Sequence, residues 1–264
     1  MKYPGGKWRI ADWIISFFPE HKVYLEPFFG SGAVFFNKRP SYIETINDID
    51  GNIVNLFKVC REHPKELADL INLTPFSREE FLNCYEMGKG DSIERARKTL
   101  VRYHQSFGTS NSTKTSWRNV QTYGGPRCAT MWNYLPEIII ECCERLKEAQ
   151  IENIDAVELI KRYNSTDTLI YCDPPYLQKL RKKNMYACEL DDHKHFELLD
   201  VLKNTKSKVI LSGYDSELYN GVLRDWSTAE IKTTAQMGLP RVEKLWMNFE
   251  PCECKQITFE NDRR

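Results

Sequence analysis

Val23-Tyr24-Leu25-Glu26-Pro27-Phe28-Phe29-Gly30-Ser31-Gly32-Ala33-Val34-Phe35-Phe36 is the stretch on which the fold is read. Val23 to Leu25 is a short apolar run of strand type, stopped by Glu26-Pro27 and a glycine pair. A helix-like stretch follows from Ala33 to Phe36. Tyr42 to Ile46 predicts a second strand ending in Asn47-Asp48-Ile49-Asp50, after which Ile53, Val54, Leu56, Phe57 and Cys60 continue at helical spacing. Strand, turn, helix and strand in this order open a doubly wound α/β sheet. The alternation resumes late in the chain. Thr168 to Cys172 predicts a strand running into Asp173-Pro174-Pro175-Tyr176, and Phe196, Leu198, Leu199 and Leu202 mark a helix. Further strands are expected at Lys208–Leu211, Ala229–Thr233 and Lys244–Phe249.

Between these halves, Pro64 to Gln150 reads as mostly helical. Ser77-x-x-Glu80 and Asp91-x-x-Glu94 have the form of capping-box helix starts. Trp132, Leu135, Ile139, Cys142 and Leu146 make an apolar stripe of the kind that packs into a core. The expected architecture is therefore an α/β sheet interrupted by a helical insert.

With 264 residues and 41% hydrophobic content, the chain fits a sizeable domain with or without a smaller insert. Lys+Arg and Asp+Glu stand at 37 each, so neither a uniformly basic nucleic-acid binder nor an acidic tail describes the whole chain. The average hides a split: Arg95 to Pro136 contains no acid and carries a local charge of +7. Inside it, Ser106 to Asn119 is rich in hydroxyls and interleaved with aromatic and basic side chains, the residue types that contact phosphates and stack on bases. No apolar run approaches the ~18 residues of a membrane span, and Met1 to Gly6 has no signal-peptide core. Nine cysteines without a C-x-x-C pair predict reduced thiols and a cytoplasmic setting. His193 and His195, beside Asp191 and Asp192, would not share a helix face, so no metal site is expected.

In open α/β sheets, ligands bind beyond the carboxyl ends of the strands. The glycine turn, Asp48 and Asp173-Pro174-Pro175-Tyr176 all fall at such ends. Gly30 and Gly32 take side chains away where backbone approaches a ligand. Asp48, 18 positions beyond Gly30, is near the ~20 expected for an acid that grips ribose hydroxyls. Phe35 stands where a pyrophosphate-binding third glycine belongs, which points to a nucleoside ligand without a pyrophosphate. In the tetrapeptide, each residue before a proline is held extended and neither proline has an N–H. The segment thus presents two acceptors, the Asp173 carboxylate and the Pro174 carbonyl, beside the Tyr176 ring. That suits a planar conjugated amine: two acceptors gripping its hydrogens turn the delocalised lone pair towards an electrophile.

Together the motifs resemble those of Dam-type, alpha-group DNA adenine-N6 methyltransferases, in the family's order and over nearly the whole length. Tyr3-Pro4-Gly5-Gly6-Lys7 matches the N-terminal motif for S-adenosyl-L-methionine (AdoMet), Glu26 to Asn37 the glycine motif, Asn47-Asp48-Ile49 the acidic motif, and Asp173 to Tyr176 the catalytic motif. Leu211 to Tyr214 and Glu243 to Asn248 resemble later family segments. The resemblance implies an AdoMet-dependent, Rossmann-like sheet formed by residues 1–60 and 150–264, with 61–149 as a mainly helical target-recognition insert. It implies AdoMet contacts from Tyr3, Lys7, Phe28, Gly30, Asp48, Ile49 and Asp173. Asp173, Pro174, Pro175 and Tyr176 would hold an adenine flipped out of double-stranded DNA, for direct transfer without a metal. The family leans towards monomers. The family's GATC-reading segment is absent, and Arg102, Lys114, Trp117 and Arg118 are the candidate DNA contacts, Trp117 as a wedge or stacking group or simply as an anchor for its loop. Lys179, Arg181, Lys182 and Lys183 could reach phosphate beside the target base, although a solvated loop accounts for them equally well. The competing readings are a methyltransferase acting on an RNA base or a protein glutamine, and an inactive DNA-binding subunit of the same fold. Pro251-Cys252 superficially resembles a cytosine-C5 nucleophile but follows the last sheet segment.

Overall fold

A computed structural model describes residues 5–86, 90–108, 114–123, 125, 127–177, 190–234 and 240–251. The first half runs α1 (Ala11–Ile15), β1 (Val23–Glu26), α2 (Ala33–Asn37), β2 (Ile43–Asn47) and α3 (Gly51–Glu62). The middle adds α4 (Pro64–Leu73), α5 (Arg78–Asn83), α6 (Ser92–Gln105), β3 (Ser106–Phe107), β4 (Ser116–Trp117), α7 (Cys128–Asn133) and α8 (Leu135–Leu146). The chain then returns to the sheet through β5 (Ala149–Glu152), α9 (Ala156–Arg162), β6 (Thr168–Cys172), α10 (Asp192–Asn204), β7 (Lys208–Gly213), α11 (Glu217–Val222), β8 (Ser227–Thr234) and β9 (Pro240–Met247).

Seven strands form one sheet in the order β5-β2-β1-β6-β7-β9-β8. The first five in that order run parallel, and β9 and β8 close the far side as antiparallel neighbours. Alternate residues face opposite layers. Tyr24, Leu169, Tyr171, Ile210, Leu245 and Met247 belong to one apolar cluster, and Leu25, Ile170, Cys172, Val209, Leu211 and Trp246 to the other. Burial on both faces explains why β6 and β7 read as unbroken apolar runs rather than as alternation. From β1 the chain goes to β2 on one side, and β6 enters on the other. That reversal opens a crevice at the carboxyl ends of β1 and β6.

The helical middle shares the first cluster with the sheet: Leu67 of α4, Phe81 of α5, Leu100 of α6, Trp132 of α7 and Ile139 of α8 pack in the same apolar body as Tyr24 and Leu169. Both expected helix starts are capped by their N-cap side chains, with Ser77 Oγ accepting from Glu80 N at 3.2 Å and Asp91 Oδ1 from Glu94 N at 2.9 Å, while the Glu80 and Glu94 carboxylates turn to Arg97. The expected stripe is buried, although Pro136 starts a new helix and splits it between α7 and α8. Leu135, Ile139 and Leu146 are fully buried, each worth about 1.5–3 kcal/mol, so packing rather than propensity holds α8.

Three features differ from the sequence reading. β5 replaces the expected helix end at Ala149-Gln150, because a four-residue edge strand gives too short an alternation to override the helical run before it. β9 begins at Pro240 rather than Lys244 and stops at Met247. The glycines also divide their work. Gly30 lines the cleft, whereas Gly32 has φ +65° and a Cβ there would lie 2.4 Å from Phe29 Cζ and 2.7 Å from Phe36 Cε2. Gly32 therefore serves packing and the left-handed turn, not ligand approach.

Candidate active site

The cleft at the switch point is lined by Lys7, Phe28, Gly30, Asp48, Ile49, Asp173 and Pro175, with Glu26 and Tyr171 at its base. Each wall comes from an element already described: the glycine turn from the end of β1, Asp48 and Ile49 from the end of β2, and Asp173 and Pro175 from the end of β6. Parallel pairing of β1 with both β2 and β6 brings together three segments that are far apart in sequence. Tyr3 lies outside the described residues.

Asp48 is 8% exposed. Its carboxylate accepts from Gly30 N and from Asp50 N, each at 2.9 Å, which fixes the glycine turn against the end of β2. Burial pushes its pKa up to about 6, against the pull of those backbone donors. Glu26, at 2% exposure, accepts from the Tyr24 hydroxyl at 2.6 Å. Burial pushes Glu26 up to about 8; Tyr24 pulls the other way and the negative charge of Asp173 adds to the rise. Beneath the glycine turn, the buried Glu44 pairs with Lys38 and Arg145, whose cations sit over the Tyr24 and Phe35 rings at 4.2 and 3.8 Å.

Asp173 is the centre of a second set of contacts. Lys7 Nζ donates to Asp173 Oδ1 and Oδ2 at 2.8 and 2.7 Å and also to the Tyr176 hydroxyl. Ser212 Oγ, at the end of β7, donates to Asp173 Oδ1 at 2.9 Å. The Tyr176 hydroxyl donates to Glu243 Oε1 of β9 at 2.7 Å, and Lys7 Nζ stands 3.5 Å from the same oxygen. The Tyr176 ring is 7% exposed, with Lys7 Nζ 4.9 Å from its centroid and the Tyr214 ring tilted against it at 4.2 Å. Pro174 is buried and Pro175 is half-buried. Ser212, Tyr214 and Glu243 fall in segments the sequence reading matched to the family without giving them roles. For Ser212 and Tyr214 the signal was positional, at and just beyond the end of β7, the neighbour of β6; Glu243 lies within β9, one strand further out, and had no such signal.

The candidate DNA contacts cluster around a hairpin, β3–β4, whose two-residue strands are too short to show periodicity in the sequence. Arg102 and Lys114 place their cations over the Tyr85 ring, at 5.2 and 5.3 Å. Tyr85 Oη also accepts from Thr115 N at 2.9 Å. Trp117 sits between Phe76, at 5.8 Å, and the Arg78 guanidinium, at 4.9 Å, so it anchors the hairpin to the helical layer. Arg118 N donates to Gln105 O at 2.7 Å, leaving its half-buried side chain beside the hairpin base. Arg97 and Lys98 do not contribute a free basic surface: Arg97 pairs with Glu80 and Glu94 at 2.6 and 2.7 Å, and Lys98 lies 3.8 Å from Glu94. Glu94 immediately precedes the acid-free window and Glu80 comes from α5, and both fold back onto it. Lys179, Arg181, Lys182, Lys183 and Cys252 lie outside the described residues. His195 is buried with Nδ1 2.9 Å from the Tyr219 hydroxyl, while His193 is exposed.

Residues 3–237 match the model of the D12 class N6 adenine-specific DNA methyltransferase family. The chain belongs to that family. This methyltransferase is 25% identical over 239 residues to a DNA adenine methylase of Haemophilus influenzae, covering 84% of the chain and 82% of the relative. It is 26% identical over 260 residues to the type II methyltransferase M1.LlaDCHI of Lactococcus lactis subsp. cremoris, covering 90% of the chain and 88% of the relative. A DNA adenine methylase of Escherichia coli is 24% identical over 246 residues, covering 86% and 82%. The methyltransferase modifies adenine in DNA, as the sequence reading expected, and the family uses AdoMet. No helix among the described residues is long and apolar enough to cross a membrane.

Proposed function

We propose that the cleft binds AdoMet and that Asp173, Pro174, Pro175 and Tyr176 hold an adenine flipped out of double-stranded DNA. The observation that carries this reading is the shared cleft: the Asp173 tetrapeptide and the Gly30 turn end adjacent parallel strands and line one crevice. The lining fits the group. Phe28 and Ile49 supply apolar walls, and Asp48, Glu26 and Asp173 supply acids suited to hydroxyls and to a cation. AdoMet supplies a methyl group activated by a positive sulfur.

In this reading Asp48 takes the ribose hydroxyls, Ile49 flanks the adenine ring of AdoMet, and the backbone near Phe28 and Gly30 passes alongside. Lys7 lines the cleft from the N-terminal segment, and Tyr3 contacts AdoMet as the resemblance of that motif implies. Asp173 and the Pro174 carbonyl accept the two hydrogens of the target amine, and Tyr176 borders the base. Flipping costs a few kcal/mol, and holding two reactants in near-attack geometry returns up to ~7–11 kcal/mol, so no strong base on the nucleophile is required. Residues 61–149 serve as the target-recognition region, in which Arg102, Lys114 and Arg118 reach the DNA and Trp117 holds the hairpin that carries them. The enzyme acts as a monomer in a reducing cytoplasm, in keeping with six described cysteines that are all free thiols. A restriction-modification role follows the type II relative.

The test is methyl labelling from tritiated AdoMet with unmethylated DNA, RNA and protein offered side by side. Label in DNA adenine, lost by at least a hundredfold in a folded Asp173→Ala variant, is the expected result; a fall of that size lies within the range contributed by substrate positioning. Label confined to RNA or protein would overturn the reading.

A further inference from the structure

Direct methylation of an exocyclic amine leaves a proton to dispose of. The nitrogen begins with two hydrogens and its lone pair, and forms the new bond to carbon with that pair. It then carries a methyl group, two hydrogens and a positive charge, and becomes neutral only by releasing one proton. The cleft has a carboxylate at that point, Asp173, but Asp173 is not the end of the chain of contacts. Lys7 Nζ touches both of its oxygens at 2.7–2.8 Å and donates to the Tyr176 hydroxyl. Tyr176 in turn donates to Glu243 at 2.7 Å. Glu243 is 4% exposed and buried behind the tetrapeptide. Both bonds beyond Asp173 are oriented the same way, with donors aimed at Glu243.

We propose that Glu243 is the far end of a relay that takes the proton released by the newly methylated amine, through Asp173, Lys7 and Tyr176. Resting on the methyl-transfer reading, the step balances as follows. Asp173 accepts the proton from nitrogen. Lys7 passes one proton to Tyr176 and regains one from Asp173, and Tyr176 passes its own to Glu243 and regains one from Lys7. The net result is a neutral amine, an unchanged Asp173, Lys7 and Tyr176, and a protonated Glu243. Charge inside the site is conserved, since the positive charge lost from the methyl donor reappears as a proton on a buried carboxylate.

The surroundings suit a group that holds a proton more readily than an ordinary carboxylate. Burial pushes the Glu243 carboxyl up, the Lys7 ammonium holds it back, and Asp173 pushes it further. Tyr176 faces it from the tetrapeptide, and the negative charge of Glu243 in turn raises the hydroxyls of Tyr171 of β6 and Tyr214 beyond β7. Glu243 touches no reacting atom and acts only through Lys7 and Tyr176.

Two measurements test the relay. In a single turnover with AdoMet and unmethylated plasmid DNA in weak buffer, a pH indicator follows proton release while quenched samples follow methyl transfer. The wild type is expected to release its proton after the methyl group has moved, when the site opens. Glu243→Gln loses that lag, and Glu243→Asp restores part of it. Infrared spectra of the unliganded protein should contain a carboxyl band that titrates above the ordinary carboxylate range and is missing in Glu243→Gln. Proton release coincident with methyl transfer in the wild type, or a Glu243 band that does not titrate there, would overturn the relay. Should Glu243→Gln not fold, the wild-type lag alone decides. Absence of any methyl transfer to DNA by the wild type would instead overturn the functional reading itself.

Discussion

Glu26 is an acid placed where ionisation is costly. It lies at the base of the cleft, 2% exposed, with Tyr24 as its donor and Asp173 as a like-charged neighbour. Its carboxyl titrates at about 8 in the folded protein against an ordinary 4.5. Between those values the folded state keeps a proton that the unfolded chain has released. Stability therefore falls as pH rises through that window, by up to ~1.4 kcal/mol per pH unit for one proton. Asp48 acts in the same direction over a lower window, from 3.8 to about 6. Glu26→Gln should flatten the decline of Tm with pH above the Asp48 window, as read by thermal unfolding at closely spaced pH values. A variant with the parental slope contradicts the assignment. At this scale the sequence carried the types and spacing of Asp48 and Asp173. It did not carry the contacts around Asp173, because Lys7 and Ser212, and Glu243 behind them, are brought there only by the folded chain.

Among the elements, the turn between β1 and α2 is the most constrained. Gly32 combines a left-handed φ of +65° with two aromatic rings inside the reach of a Cβ. Gly32→Ala should cost about 2–4 kcal/mol from the backbone penalty and overpacking together. Gly221, within α11, has nothing within 4 Å of an added Cβ. Gly221→Ala should then stabilise by about 0.5–1 kcal/mol. Urea unfolding of both variants checks the pair, and equal effects would contradict the geometric account of the turn. The strands with both faces buried, β1, β6 and β7, were legible because each carries an unbroken apolar run, Val23–Leu25, Leu169–Cys172 and Val209–Leu211, that stops at a turn or polar residue. β5 and the β3–β4 hairpin were not. Four residues at a sheet edge, and two per strand in a hairpin, are too few for a period to emerge, and tertiary pairing alone defines them.

Across the whole molecule, a formal net charge of zero is the sum of an acid-free, basic stretch and an acidic remainder. The fold changes what that split means. Arg97 and Lys98 turn inward to Glu80 and Glu94, while Lys114 and Arg127 are exposed and Arg102 and Arg118 are half-buried about the hairpin. Among the described residues of that stretch, the basic surface is therefore smaller than the sequence count. If that stretch is the DNA surface proposed above, fewer phosphate contacts predict a weaker salt dependence of DNA binding than its sequence charge of +7 implies. The account as a whole stands on methylation of adenine at defined sites in DNA. Long-read sequencing that detects modified bases, applied to DNA from cells expressing the chain, tests it most directly. The predicted result is N6-methyladenine at nearly every copy of one short sequence, erased when Asp173→Ala replaces the wild type. Unmodified adenine in cells that contain the folded wild-type protein, or modification at cytosine, would contradict it.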